Sequence, residues 1–364
     1  MNKSLNELLK KISPLLAPLS ALYNFGAYLR LVCFSSGILR SYRLPVPVVS
    51  VGNLTVGGTG KTPVTIDLAR RLIRQGYRPA ILSRGYKRLS TKPIVVVSDG
   101  NHLLAEAGDC GDEPYMMARA VPKAVVIVGA DRRQTGRMAV SQFGCDVILL
   151  DDGFQHLRVS RQIDVVLYDY NDEPSSMKLV PAGRLREPLS ALGRAQYVVI
   201  TKVPANPSAN RLESIRQTIK RFAPRAVVTT CQFEPDGVHR IYTRQNVAIT
   251  TKLTGARVLA FCGIARPETF FDQIRAMGGS LVDSVAFPDH HWFSERELGA
   301  LKERFYQSGA ELLITTEKDA VRLPEDFINS LPVAQMRLET IWGDEIPLPK
   351  SLSGAARTLL TADR

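Results

Sequence analysis

An α/β fold, with a mostly parallel sheet flanked by helices and a second, smaller α/β domain, is what this sequence predicts. Three observations carry that prediction. Short apolar runs of strand length alternate with stretches whose apolar residues recur at helical spacing. A glycine-rich turn, Gly52 to Thr62, lies between one such run and one such helix. Further on, the run Val147 to Leu150 ends in an acid, Asp151, as a strand buried between helices does when it delivers a carboxylate to a site.

The turn comes first. The run Val46 to Val51 has strand length and composition, and Ile66, Leu68, Ala69, Leu72 and Ile73 share one helical face that Gly76 stops. Strand, glycine-rich turn and helix form the setting that a phosphate-binding loop requires. Glycines let backbone N–H groups converge on phosphate oxygens, and the helix N-terminus adds the positive end of its dipole. Gly57, Gly58, Thr59 and Gly60 then cradle nucleotide phosphates, Lys61 reaches the β- and γ-phosphates, and the Thr62 hydroxyl ligates Mg²⁺. The fold expected is therefore P-loop NTPase-like.

The strict pattern asks for a glycine where Thr55 stands, so the loop's path is expected to differ at its start. The competing reading is a turn that merely joins strand to helix. Two subclasses are argued down by single residues. Val56 occupies the position where some ATPases carry a second lysine, and Thr201-Lys202-Val203-Pro204 lacks the aspartate of a guanine reader.

A chain of 364 residues suits two domains, and its net charge of +12 calls for an anionic partner: nucleic acid, anionic lipid or a phosphorylated substrate. Five scattered cysteines without a C-x-x-C pair point to a reducing compartment, away from a disulfide framework or a zinc site.

The expected organisation is an N-terminal membrane-associating helical region (1–44), a P-loop core (45–235), a linker (236–256) and a smaller C-terminal α/β domain (257–364). The first segment holds 18 uncharged residues between Lys11 and Arg30, interrupted by Pro14, Pro18 and Gly26. Its six basic residues stand against Glu7 alone, a net of +5. Such a stretch suits a membrane interface, where each cation contributes about 1 kcal/mol near an anionic surface. The alternative is a helix packed on the protein's own core.

Ser83-Arg84-Gly85-Tyr86 falls at the carboxyl end of a strand, the edge that carries ligand sites in open α/β sheets. Arg84 is accordingly either a phosphate contact or a solvated arginine. Asp112, in the turn Gly111-Asp112-Glu113-Pro114, reads from its position as a helix cap. Asp151 and Asp152 close the second motif as Walker B acids. Arg184 and Arg186, in a loop bounded by Pro181 and Pro188, are placed to clamp phosphates, with Glu187 as an ion-pair partner. His290 and His291 beside Asp289 lack a nearby third ligand, which argues against zinc.

In order along the chain, Gly52 to Pro63, Ser83 to Tyr86, Gly111 to Pro114, Asp151 to His156, Pro181 to Pro188, Phe261 to Pro267, Asp289-His290 and Thr316 to Asp319 form a combination that resembles the tetraacyldisaccharide 4′-kinase family of lipid A biosynthesis. The resemblance covers about residues 12 to 325 and departs at Gln162, where an acid is expected. It implies ATP- and Mg²⁺-dependent phosphorylation of the 4′-hydroxyl of a tetraacylated glucosamine disaccharide 1-phosphate. The lipid A precursor and an anionic membrane surface are the implied partners, with no nucleic acid expected. The implied location is the cytoplasmic face of the bacterial inner membrane, held peripherally. Carried over by motif, Asp112 becomes the base and His290 its partner. Arg84, Glu113, Gln155, His156, Arg184 and Arg186 become substrate or phosphate contacts.

Overall fold

The structure, a computed structural model, describes residues 15–173, 177–241, 248–250, 252–344 and 348. Lys3, Glu7, Lys10 and Lys11 of the expected N-terminal region, and the chain beyond 348, lie outside the described residues. Two compact units result, one running to Phe233 and resuming at Thr340, the other spanning Glu234–Glu339.

The first unit opens with α1 (Ala17–Ser35) and then alternates strand and helix. Its strands are β1 (Val48–Asn53), β2 (Pro79–Ser83), β3 (Ile94–Asp99), β4 (Val125–Gly129), β5 (Val147–Asp151), β6 (Ile163–Asp169), β7 (Tyr197–Thr201) and the start of β8 (Val227–Arg240). They stand in the order β8–β7–β6–β1–β5–β2–β4–β3. Every pairing is parallel except β3 with β4 at the edge. The helices are α2 (Lys61–Arg74), the short α3 (Ala107–Cys110), α4 (Asp112–Ala120), α5 (Arg132–Phe143) and α6 (Ala209–Phe222).

The strands β1, β2, β4, β5 and β6 are buried along their whole length, which is why they read as continuous apolar runs rather than alternating ones. Helices cover both faces. Val49 and Val51 pack with Val64, Leu68 and Leu72 of α2, while Val48, Ile148 and Leu150 pack with Leu44 and Ala139 on the opposite face. Burying a side chain such as Leu68, which has no exposed surface, contributes about 2 kcal/mol. Beyond β6, Ile215 and Ile219 of α6 close a third cluster over Val198 and Ile200. Gln162 explains how the chain tolerates the missing acid: its Oε1 accepts the Val48 N–H at 2.7 Å, a bond an amide makes as well as a carboxylate.

The second unit carries the end of β8, β9 (Ala248–Thr250), β10 (Arg257–Cys262), β11 (Ser280–Ala286), β12 (Leu312–Thr316) and β13 (Val333–Trp342), the last of which ends in the first unit. The strands β11–β10–β12–β13 pair in parallel in that order, and β9 runs antiparallel to β8. Around them lie α7 (Pro267–Ala276), α8 (Glu295–Ser308), α9 (Glu317–Ala320) and α10 (Glu325–Ser330). Leu259, Phe261 and Leu313 pack with Leu298, Leu301 and Phe305 of α8, and Val258 and Ala260 with Phe270 and Ile274 of α7. The sequence-expected boundary after 235 falls inside β8, and part of the expected linker is strand, because β8 is polar on one side and shows no apolar run.

No residue of α1 is buried, and Leu19, Leu22, Phe25, Tyr28 and Leu29 are all more than half exposed. Among the described residues, no helix is long and apolar enough to cross a membrane. Its polar side chains do the holding. Ser20 Oγ donates to the Leu179 carbonyl at 3.1 Å and Tyr23 Oη to the Arg186 carbonyl at 2.9 Å, while Arg30 Nη2 donates to the Gln155 carbonyl at 3.0 Å.

Candidate active site

Strand register gathers the first unit's polar residues at one edge. Val51 of β1 lies beside Asp151 of β5, and Leu82 of β2 beside Leu150, so the ends Asn53, Ser83 and Asp151 converge there. The glycine-rich loop leaves β1 at this edge and enters α2 at Lys61. Gly60 has φ +91°, and a Cβ there would collide with the Phe233 ring, so only glycine fits the helix entry. Lys61 Nζ sits 3.3 Å from Asn53 Oδ1 and 3.5 Å from Asp152 Oδ1.

Two residues weighed in the sequence only as a failed guanine reader brace the loop instead. Thr201 Oγ1 donates to the Thr59 carbonyl at 2.8 Å. Lys202 Nζ donates to the Gly58 carbonyl and pairs with Asp169 Oδ2 at 2.7 Å. Thr55, standing where the strict pattern has glycine, is buried and bridges to Leu185. The Val56 N–H donates to the Arg184 carbonyl at 2.8 Å, and Arg184 Nη2 returns a bond to the Val56 carbonyl at 2.9 Å. Arg184 is held in turn by Asp172 at 2.7 Å. In this arrangement Arg184 grips the loop entry.

The two acids are not equivalent. Asp151 is 3% exposed, its Oδ2 accepts from Ser83 Oγ at 3.0 Å, and its Oδ1 has no hydrogen-bond partner among the described residues. Burial, with the charges of Glu113 and Asp152 added, pushes its carboxyl well above the ordinary carboxylate range. Asp152 stands at φ +50° and receives Arg186 Nη1 at 2.9 Å. Burial alone would raise its carboxyl, but Lys61 and Arg186 outweigh that and hold it below the usual range. A buried carboxylate oxygen with no hydrogen-bond partner among the described residues, next to a second acid, fits Mg²⁺, which takes one or two carboxylates plus phosphate oxygens and water.

Arg132, at the start of α5, lies in the charged run Asp131–Arg133 that the sequence places at the carboxyl end of a strand, with no role assigned to it there. It is 4% exposed, and its Nη1 donates to the Gly129 carbonyl at 3.1 Å. Burial pushes its guanidinium down to about 10, opposed by the pull of Asp151 and Asp152 and reinforced by Arg84. Arg84 and Arg132 thus belong to the same electrostatic neighbourhood as the acids. The place of Arg132 directly after β4, at the ligand-bearing edge, is the signal the sequence carries for it, and its tie to the acids is what the sequence does not show.

Asp112 is 7% exposed and is the first residue of α4. The cap position belongs to Gly111, and the helix has no side-chain cap bond, so the capping role read from position is not the one observed. Gly111 has φ +93°, and a Cβ there would lie 2.9 Å from the Tyr86 carbonyl. That close approach joins the Ser83–Tyr86 turn to the Asp112 turn. Glu187, expected to pair with Arg184 or Arg186, pairs with Arg194 at 2.6 Å, because Arg184 and Arg186 are already taken by Asp172 and Asp152.

Gln155 Nε2 donates to the Asn53 carbonyl at 2.9 Å, so this side chain braces the end of β1. His156 is kept neutral by burial and by the neighbouring Arg132 and Arg161, which together push it down to about 4. An unfolded chain takes this proton near pH 6.5, roughly, and so binds more protons than the folded chain between that pH and about 4. The stability contributed by neutral His156 is therefore complete above about pH 6.5 and is lost as pH falls toward 4. Replacing His156→Gln should flatten the pH dependence of the denaturation midpoint between about pH 7 and pH 5. An unchanged slope would contradict a buried neutral imidazole.

In the second unit, His290 stands at φ +63° after Asp289. Its Nε2 lies 3.1 Å from Lys318 Nζ, which also donates to Asp289 Oδ1 at 2.8 Å. His291 is occupied differently: its ring stacks on Phe287 and its Nε2 meets Glu297 Oε1 at 2.9 Å.

Comparison with known proteins adds a consistent set of likenesses. A family model described as tetraacyldisaccharide-1-P 4′-kinase matches residues 12–353. The tetraacyldisaccharide 4′-kinase of Pelobacter propionicus is 41% identical over 94% of this chain and 92% of its own length. That of Geobacter sulfurreducens is 38% identical over 94% of this chain and 93% of its own. A crystal structure of LpxK from Aquifex aeolicus in complex with ATP superposes with a TM-score of 0.75 at 29% identity, covering 96% of this chain and 99% of that one.

Proposed function

Because the chain belongs to the tetraacyldisaccharide-1-P 4′-kinase family, we infer that it transfers the γ-phosphoryl group of ATP to the 4′-hydroxyl of a tetraacylated glucosamine disaccharide 1-phosphate, the lipid A precursor. The observation that carries this reading is the constellation at the first unit's sheet edge. There Lys61 stands 3.5 Å from Asp152, beside the open oxygen of Asp151. Mg²⁺, when bound, supplies charge neutralisation on the transferring phosphoryl oxygens. Thr62, Asp151 and Asp152 are the residues that would hold it.

The chain's own residues divide the rest. Gly57, Gly58, Thr59 and Gly60 present backbone N–H groups to the phosphates, and Lys61 stabilises the charge that develops on the transferring group. Asp112 accepts the proton of the sugar hydroxyl, and His290 supports it in that role. Arg84 and Arg186 contact phosphate, and Glu113, Gln155 and His156 contribute to the acceptor side. Mass spectrometry of the acceptor after incubation with purified protein, ATP and Mg²⁺ should show a gain of one phosphate. An acceptor lacking the 4′-hydroxyl should gain none, and phosphorylation of that analogue would contradict the assigned position.

We assign α1 to peripheral association with the cytoplasmic face of the bacterial inner membrane. The support is its inverted pattern: Ser20, Tyr23 and Arg30 are bonded inward while Leu22, Phe25 and Leu29 face outward. Apolar outward faces near basic residues suit an anionic lipid surface. The net charge of +12 is thereby assigned to lipid and phosphorylated substrate rather than nucleic acid. Replacing Leu22, Phe25 and Leu29 with glutamate should lower binding to anionic vesicles about tenfold or more. Turnover of a short-chain soluble acceptor should change far less than that of the natural one. Equal loss on both would favour a purely structural helix.

A further inference from the structure

Lys318 belongs to the Thr316–Asp319 motif, and the proposed chemistry gives it no task. Its position is tightly built. Thr316 caps α9, its Oγ1 donating to Asp319 Oδ2 at 2.7 Å and accepting from the Asp319 N–H at 3.1 Å. Asp319 and Arg322 have fully buried side chains paired at 3.0 Å. Asp319 Oδ2 also accepts the Gly263 N–H at 2.9 Å, and Arg322 Nη1 donates to the His291 carbonyl at 3.1 Å. The same buried pair thus ties the helix carrying Lys318 to the turn carrying His290. The His290 N–H bonds the Gly263 carbonyl at 3.3 Å, closing that frame.

Within it, Lys318 Nζ lies 2.8 Å from Asp289 Oδ1 and 3.1 Å from His290 Nε2. An ammonium has three donors and no acceptor, so a hydrogen bond at that distance makes Nε2 the acceptor. The ring's single proton in its neutral form must then sit on Nδ1, which becomes a donor. Asp289 keeps the ammonium in place, its carboxyl held below the usual range: burial would raise it, and the Lys318 bond and charge outweigh that. His290 also stands in the left-handed backbone region at φ +63°, a conformation a non-glycine residue keeps only where its surroundings hold it.

We propose that Lys318 is a positioning residue that fixes His290 in its Nδ1–H tautomer, the form able to donate a hydrogen bond to a carboxylate. This rests on the reading of His290 as the support of the catalytic base. In the absence of such a partner, the neutral imidazole of histidine prefers the Nε2–H form.

The test separates the two claims. Nitrogen-15 NMR of the full chain, labelled in histidine and assigned with His290→Gln, reports the tautomer directly at a pH where the ring is neutral. The wild-type protein should show a protonated Nδ1 at His290, Lys318→Met should shift the ring toward Nε2–H, and Lys318→Arg should retain Nδ1–H. Turnover of Lys318→Met should fall about tenfold or more with KM for ATP unchanged, and Lys318→Arg should recover most of it. An Nε2–H ring in the wild type, or an unmoved tautomer in a folded Lys318→Met, overturns the inference about Lys318. A shifted tautomer with unaltered turnover overturns the catalytic role of His290 instead. Loss of folding in Lys318→Met leaves the wild-type and Lys318→Arg spectra to decide.

Discussion

Lys61→Ala should yield a folded protein whose phosphoryl transfer is slower by about a thousandfold or more, a loss of about 4 kcal/mol of transition-state stabilisation. The physical reason is that the ammonium neutralises charge on the group in flight, where no solvent substitutes for it. Folding should survive because Asp152 keeps its second partner, Arg186 at 2.9 Å, and Lys61 packs no core cluster. Single-turnover transfer measured beside a thermal melt checks both parts. Turnover within about threefold of the wild type, in a folded variant, would remove the phosphate-loop assignment.

Asp112→Asn should cost between about 10² and 10⁴ in turnover, the range for a positioned general base, with ATP affinity largely kept. A merely structural aspartate would show the reverse, about 1 kcal/mol of stability lost and turnover near normal. His290→Ala should lose less than Asp112→Asn, and the double variant should be little worse than Asp112→Asn alone, because residues that act as a unit are non-additive. Fully multiplicative losses across that cycle would mean the two residues act separately, and the proposed partnership should then be abandoned.

Much of the first unit was legible in its sequence because its strands are buried on both faces, and a doubly buried strand leaves an uninterrupted apolar run. The runs ending at Ser83 and Asp151 are strands at those positions, and the loop's glycines announce the start of α2. The half-exposed strands left no such trace: β11 has no fully buried residue and β13 turns polar midway, so neither stood out. α5 left no helical apolar pattern because the face it buries is made of Arg132, Thr135, Gly136 and Ala139, with no large apolar side chain among them.

The site shows the same division. Residues fixed by a local motif, Lys61, Thr62, Asp151 and Asp152, could be named from spacing alone. Residues whose role depends on partners far along the chain could not. Thr201 and Lys202 bond the loop from more than 140 positions away, and Arg132 reaches the acids only because β4 lies next to β2 in the sheet. Arg184 and Arg186 look alike in the sequence. They differ in the structure because Asp172 takes one and Asp152 the other.

The most direct measurement of the central claim follows label from [γ-³²P]ATP, with purified protein, Mg²⁺ and the tetraacylated disaccharide 1-phosphate resolved by thin-layer chromatography. The account predicts acceptor-dependent ADP formation with the label recovered in a bisphosphorylated lipid, and its loss in Lys61→Ala. Label released only as inorganic phosphate, at a rate the acceptor does not alter, would identify an ATPase and contradict it.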